Sequence, residues 1–170
     1  DQLLTILPPR DGGTAFMRIH NPDGSEAEAC GNGTRCVAAV LMKEASRDDV
    51  VIETVTGSLA CALDNCGHVT VDMGQALFDW ASVPLAKETD TLSVNLDGAP
   101  ATGACCVNMG NPHAVFFVED AEAIPLAEIG PMLENHPMFP DLANIEFVSV
   151  RSPKELRMRV WERAAGITQA

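Results

Sequence analysis

The sequence predicts an α+β protein built from two similar small units, and three observations carry that prediction. Apolar and polar residues alternate in several short runs separated by Gly, Pro, Asn and Asp, the pattern of antiparallel strands joined by turns. Only two segments, Thr34–Lys43 and Pro125–Glu134, are helical in composition, one in each half. Residues 74–90 follow neither period and read as the connector between the units, so the predicted domains are 1–74 and 75–170.

Taken in order, Thr14–Asn21 (TAFMRIHN) alternates as a half-buried strand, and NPDGS then supplies a turn, with Pro22 fixing one dihedral and Gly24 free to take a positive one. Cys30, Gly31, Asn32 and Gly33 stand where the helix of TRCVAAVLMK begins, which puts Cys30 at or just before a helix N-terminus. Val50–Val55, Ser58–Leu63 and His68–Met73 form a meander, with turns at Thr56-Gly57 and Asp64–Gly67. Phe78–Lys87 is connector. Strands are expected again at Leu92–Leu96, Ala104–Met109 and Ala114–Val118, followed by the Pro125–Glu134 helix despite Gly130 and Pro131. Asn144–Val150 and Glu155–Arg163 complete the second unit.

Composition excludes several functions. The 170 residues carry a formal net charge of -13, with no basic cluster, so nucleic acid and anionic membrane surfaces are repelled. No apolar run reaches membrane-spanning length and no charged leader opens the chain, so the expected address is cytoplasmic. Because the chain opens at DQLL without an initiator Met and closes at GITQA, a fragment is expected.

The six cysteines, at 30, 36, 61, 66, 105 and 106, include no C-x-x-C pair, and the histidines at 20, 68, 113 and 136 are scattered; no metal site is expected. Reduced, buried thiols acting as small hydrophobes are the ordinary reading, and Cys36, on another helix face from Cys30, is read as packing. Cys30 stands apart. The positive end of a helix and its unpaired N–H groups favour a thiolate, and the flanking glycines let a ligand approach backbone N–H groups able to hold a carboxylate. The plain alternative is a tight turn capping a helix beside a buried thiol. No G-x-G-x-x-G spacing supports a nucleotide cofactor.

NPDGSEAEACGNGTRC, together with DQLL, NMGNPHAVFFV, ANIEFVSV and VWERAAGITQA in that order, resembles the active-site and flanking blocks of the diaminopimelate epimerases, over nearly the whole chain. The resemblance implies a cofactor-independent isomerase that interconverts LL- and meso-diaminopimelate in lysine and peptidoglycan precursor synthesis, and commonly a homodimer. It implies two similar domains, each a curved, mostly antiparallel sheet or partial barrel around a central helix. By motif position Cys30, His113 and Glu162 resemble catalytic residues. Gln2, Asn21, Gly31, Asn32, Asn111, Asn144, Glu162 and Arg163 resemble substrate contacts. Without the resemblance, Glu162 and Arg163 would read as a surface ion pair, Asn111 and Asn144 as turn residues, and His113 as a core or edge histidine.

The chemistry suits these residue types. An amino acid's α-proton is about twenty pK units less acidic than a thiol, a gap of roughly 27 kcal/mol at 1.36 per unit. A thiolate alone cannot bridge that, so preorganised donors must hold the developing carbanion. Inversion also needs an acid and a base on opposite faces, hence two thiols. The family's second cysteine follows the block that here reads GITQA, so the chain as given is expected to carry one of the two and to be inactive. Ala164 and Ile167 depart from the usual WERGAGET block. Proline racemases and hydroxyproline epimerases share the two-thiol logic but usually place His after CG, where Asn32 stands. A non-catalytic amino-acid-binding relative and a redox sensor at Cys30 are the readings from other classes.

Overall fold

A computed structural model describes residues 2–28 and 30–168, which form two compact units, 1–75 and 76–170. The parts of the motif blocks at Asp1, Ala29, Gln169 and Ala170 lie outside the described residues.

In the first unit β1 (Leu3–Leu7), β2 (Ala15–His20), β3 (Glu26–Ala27), β4 (Asp49–Thr54), β5 (Gly57–Leu63) and β6 (Val69–Val71) form one sheet in the order β1-β2-β4-β5-β6, with β3 also on β2. All pairs are antiparallel except β2 with β4, which the helix α1 (Gly31–Ala45) joins as a crossover. Val37, Ala38 and Met42 of α1 pack on Met17, Ile19, Val50, Ile52 and Cys61. Cys36 is exposed, because the buried stripe of α1 runs through Gly33, Thr34, Val37, Ala38 and Met42 and misses it; the packing expected of this thiol is corrected. Cys66 is exposed as well.

In the second unit β7 (Cys105–Asn108), β8 (Pro112–Phe117), β9 (Asn144–Ser152), β10 (Glu155–Glu162) and β11 (Gly166–Thr168) take the order β11-β10-β9-β8-β7, with β8 and β9 parallel across the helix α2 (Leu126–Glu134). Its core stacks Phe116 on Phe147, ring centres 5.1 Å apart, beneath Leu126 and Leu133. The expected strand at Leu92–Leu96 is reduced to a single bridge, Val94 with Ala104. Side chains take its ladder partners: Asp90 accepts the Leu92 N–H, and Asn95 accepts the Gly103 N–H.

The strands β9-β10-β11 repeat β1-β2-β3 in register. Leu3 opposite His20 and Leu4 opposite Ile19 correspond to Ile145 opposite Trp161 and Glu146 opposite Val160. Ile19 opposite Ala27 and His20 opposite Glu26 correspond to Val160 opposite Thr168 and Trp161 opposite Ile167. The helices differ. In the first unit α1 covers the face that carries Leu4, Met17 and Ile19, whereas α2 covers the other face of the second sheet, that of Ile145, Phe147 and Trp161.

Candidate active site

The first unit sets Gln2 and Asn21 together at one end of β1 and β2. Gln2 Nε2 donates to Asn21 Oδ1 at 2.9 Å. Asn21 itself is fixed by the NPDGS turn: its N–H donates to the Ser25 carbonyl, its Nδ2 donates to Ser25 Oγ, and its carbonyl accepts from Gly24 N–H. The Ser25 hydroxyl, and then its N–H, hold the Asp23 carboxyl below the usual carboxylate range.

From there β3 returns toward Cys30, which is the N-cap of α1 with extended backbone (φ -151°, ψ 94°). Its Sγ accepts the Gly33 N–H at 3.2 Å, and its carbonyl accepts both the N–H and the hydroxyl of Thr34 at 2.9 Å. The two glycines have different reasons. A Cβ at Gly33 would lie 2.9 Å from Leu4 Cδ1 and 3.2 Å from Cys30 Sγ, whereas the nearest atom to one at Gly31 is Met73 Sδ at 3.6 Å. Gly33 thus lets the helix start settle on β1. Asn32 is exposed, and its Oδ1 accepts from Arg35 Nη2 at 2.5 Å.

The second unit brings Asn111, His113, Asn144, Glu162 and Arg163 to one end of its sheet. Parallel pairing sets His113 beside Asn144, which is 3% exposed. Asn144 Nδ2 donates to the Pro112 carbonyl at 3.0 Å, and its Oδ1 accepts the Arg163 N–H at 2.9 Å, so one amide ties β8, β9 and the turn after β10. Thr168 Oγ1 donates to Glu162 Oε1 at 2.9 Å. Glu134 on α2 accepts from Trp161 Nε1 and from the Ala164 N–H, anchoring the same turn from below.

His113 is held on both sides, with Nδ1 2.6 Å from Glu146 Oε1 and Nε2 2.8 Å from Asn111 Oδ1. Sequence reasoning did not single out Glu146, since a glutamate in an alternating strand reads as a solvated position; it is 4% exposed. Burial pushes its carboxyl up, the His113 bond pulls it back, and the charge of Glu162 adds to the rise. Cys106 is pushed up to about 12, chiefly by burial, with Cys105 and Glu146 adding, and so stays a thiol at neutral pH. Burial also raises Cys61 and Cys105. Among the described residues no three of His, Cys, Asp and Glu form a metal-ligand group, and no helix is long and apolar enough to cross a membrane.

The family model of diaminopimelate epimerase matches residues 1–78 and 105–170, which takes in all of these positions. The chain belongs to the diaminopimelate epimerase family. It is 56% identical over 171 residues to a diaminopimelate epimerase from Rhodospirillum centenum, covering 100% of this chain and 59% of that protein. To a diaminopimelate epimerase from Methylocella silvestris it is 46% identical over 177 residues, covering 100% of this chain and 61% of the relative. The chain therefore spans about three-fifths of the length of these curated relatives. Among solved structures it resembles a hydroxyproline epimerase from Agrobacterium vitis, with a TM-score of 0.64 at 18% identity over 98% of this chain and 54% of the other. At that identity the likeness is one of fold, a two-sheet α+β architecture shared with that structure.

Proposed function

We propose that this chain is the part of a diaminopimelate epimerase that carries its first acid/base thiol and the polar groups that hold the substrate. The observation that carries the reading is Cys30 at the N-cap of α1, its sulfur accepting a helix N–H. As thiolate, Cys30 takes the α-proton of one stereocentre of LL-diaminopimelate. The N–H groups at the start of α1, around Gly31 and Asn32, receive the α-carboxylate and stabilise the negative charge that develops as the proton leaves. Asn21, Gln2, Asn111, Asn144, Glu162 and Arg163 bind the remaining charged ends, while His113 and Glu162 assist proton movement.

A second thiol on the opposite face returns the proton and completes inversion to the meso form. The internal repeat supports its position: Cys30 stands three residues beyond Ala27, and the place three residues beyond the corresponding Thr168 is the one directly after Ala170. The reaction needs no cofactor, serves lysine and peptidoglycan precursor synthesis in the cytoplasm, and is carried out by a homodimer.

The test is to express the chain together with its flanking coding sequence and follow LL-diaminopimelate in deuterated water. Deuterium at the α-carbon with conversion to the meso form is expected, and Cys30→Ser is expected to lower that rate by about 10² or more. Inversion at an unchanged rate in Cys30→Ser would refute the reading, and binding without exchange would mark a binding relative instead.

A further inference from the structure

The geometry points to Glu146 as a positioning residue for His113: its buried carboxylate holds Nδ1–H, fixing the ring and leaving Nε2 as the nitrogen that exchanges protons beside Asn111. The inference rests on the epimerase reading for its catalytic meaning, although the hydrogen bond itself does not.

Three observations carry it. Glu146 Oε1 lies 2.6 Å from His113 Nδ1, while its second oxygen is buried with no hydrogen-bond partner among the described residues. A carboxylate half-satisfied in the interior is costly. The internal repeat gives an independent comparison, because the corresponding position of the first unit is Leu4, which packs against α1 as an ordinary apolar side chain. The strand pair therefore works with leucine at this place. The surroundings differ: Leu4 lies under α1, whereas α2 covers the other face of the second sheet and β8 sets His113 within reach of Glu146.

The two partners of the ring are also chemically unequal. Burial pushes the Glu146 carboxyl up and the His113 bond draws it back toward the ionised form; ionised, it can only accept, so it keeps a proton on Nδ1. An amide can turn either its oxygen or its NH₂ group toward Nε2, so Asn111 tolerates that nitrogen with or without its proton. One side of the ring is locked and the other is free to change. The titratable groups around Glu146 are His113 from β8, Cys106 from β7 and Glu162 from β10; Cys106 remains a thiol, and Glu162 is tied to Thr168.

The experiment is to record two-bond proton–nitrogen spectra of the histidine rings in the protein with its flanking sequence, unaltered and as Glu146→Gln and Glu146→Leu. A protonated Nδ1 on His113 is expected in the unaltered protein, and a mixture of the two ring forms in Glu146→Gln, whose amide can accept or donate. In Glu146→Leu the proton is expected to move to Nε2. In parallel, kcat for α-proton exchange is expected to fall by about 10² in Glu146→Leu, with KM changing little, and to fall less in Glu146→Gln. A bare Nδ1 in the unaltered protein overturns the inference, and this reading needs no variant to fold. So does a Glu146→Leu protein with the unaltered spectrum or full kcat. If the unaltered protein exchanges no α-proton, the epimerase reading fails, while the spectra still decide whether Glu146 governs the His113 ring.

Discussion

Single side chains in this protein take on work that their neighbours in sequence do not announce. Glu53 on β4 is 3% exposed and accepts the backbone N–H groups of Arg10, Asp11 and Gly13 at 2.5, 2.9 and 2.6 Å, closing the loop between β1 and β2. A Cβ at Gly13 would stand 2.7 Å from that carboxylate, which is why glycine is needed there. The Arg10 N–H is the main cause that holds the Glu53 carboxyl below its ordinary value. A group depressed on folding contributes stability that is present above its unfolded pKa, about 4.3, and is lost as pH falls through the folded value. Urea midpoints should therefore show Glu53→Gln less stable than the unaltered chain at pH 6, with the difference shrinking below about pH 4. A gap that persists undiminished at pH 2 would show that shape, and not charge, is what the loop requires.

At the level of elements, α2 shows how a residue that reads as a helix breaker can be a packing requirement. Gly130 lies against the Trp161 ring, where a Cβ would be 2.5, 2.6 and 2.7 Å from Cδ2, Cγ and Cε3. The ring is rigid and pinned through Nε1 to Glu134, so it cannot yield as a flexible chain end would. Gly130→Ala should destabilise the protein by ~1–3 kcal/mol in denaturant titrations, although the same change in a free helix would stabilise by up to ~1 kcal/mol. Much of the element pattern was legible from the residues, because alternation and turn chemistry mark β2, β4, β5, β9 and β10, and the CGNG start marks α1. What was not legible depends on partners. β1, of sequence LLTIL, lacks alternation, while β3 and β11 have only two and three residues and exist because β2 and β10 pair with them. Of the site, Cys30, His113, Asn144 and Arg163 could be named from motif position. Glu146 and Glu134 could not, since burial of a carboxylate is settled by what folds over it.

Seen as a whole, the chain is two variations on one strand pattern, each with a single helix laid on a different side. The second sheet consequently bears, on the face of Glu146 and Val148, a set of exposed apolar side chains: Phe117, Val150, Leu156 and Met158 are 59%, 63%, 61% and 45% exposed. Their counterparts in the first unit include Met17, which is 1% exposed beneath α1. Such a surface adheres to whatever apolar matter it meets. The 170-residue chain alone should bind a hydrophobic dye and sediment as more than a monomer, and the double change Leu156→Lys with Met158→Lys should suppress both. Equal dye binding by the double variant would mean that the adhesive patch lies elsewhere.

The repeated register also has a historical reading. Gln2 stands just before β1 at the place where Asn144 opens β9, and Asn21 just after β2 matches Glu162 at the end of β10. A gene that doubled itself would have left two look-alike strand frames, each free thereafter to acquire its own polar side chains at the matching places.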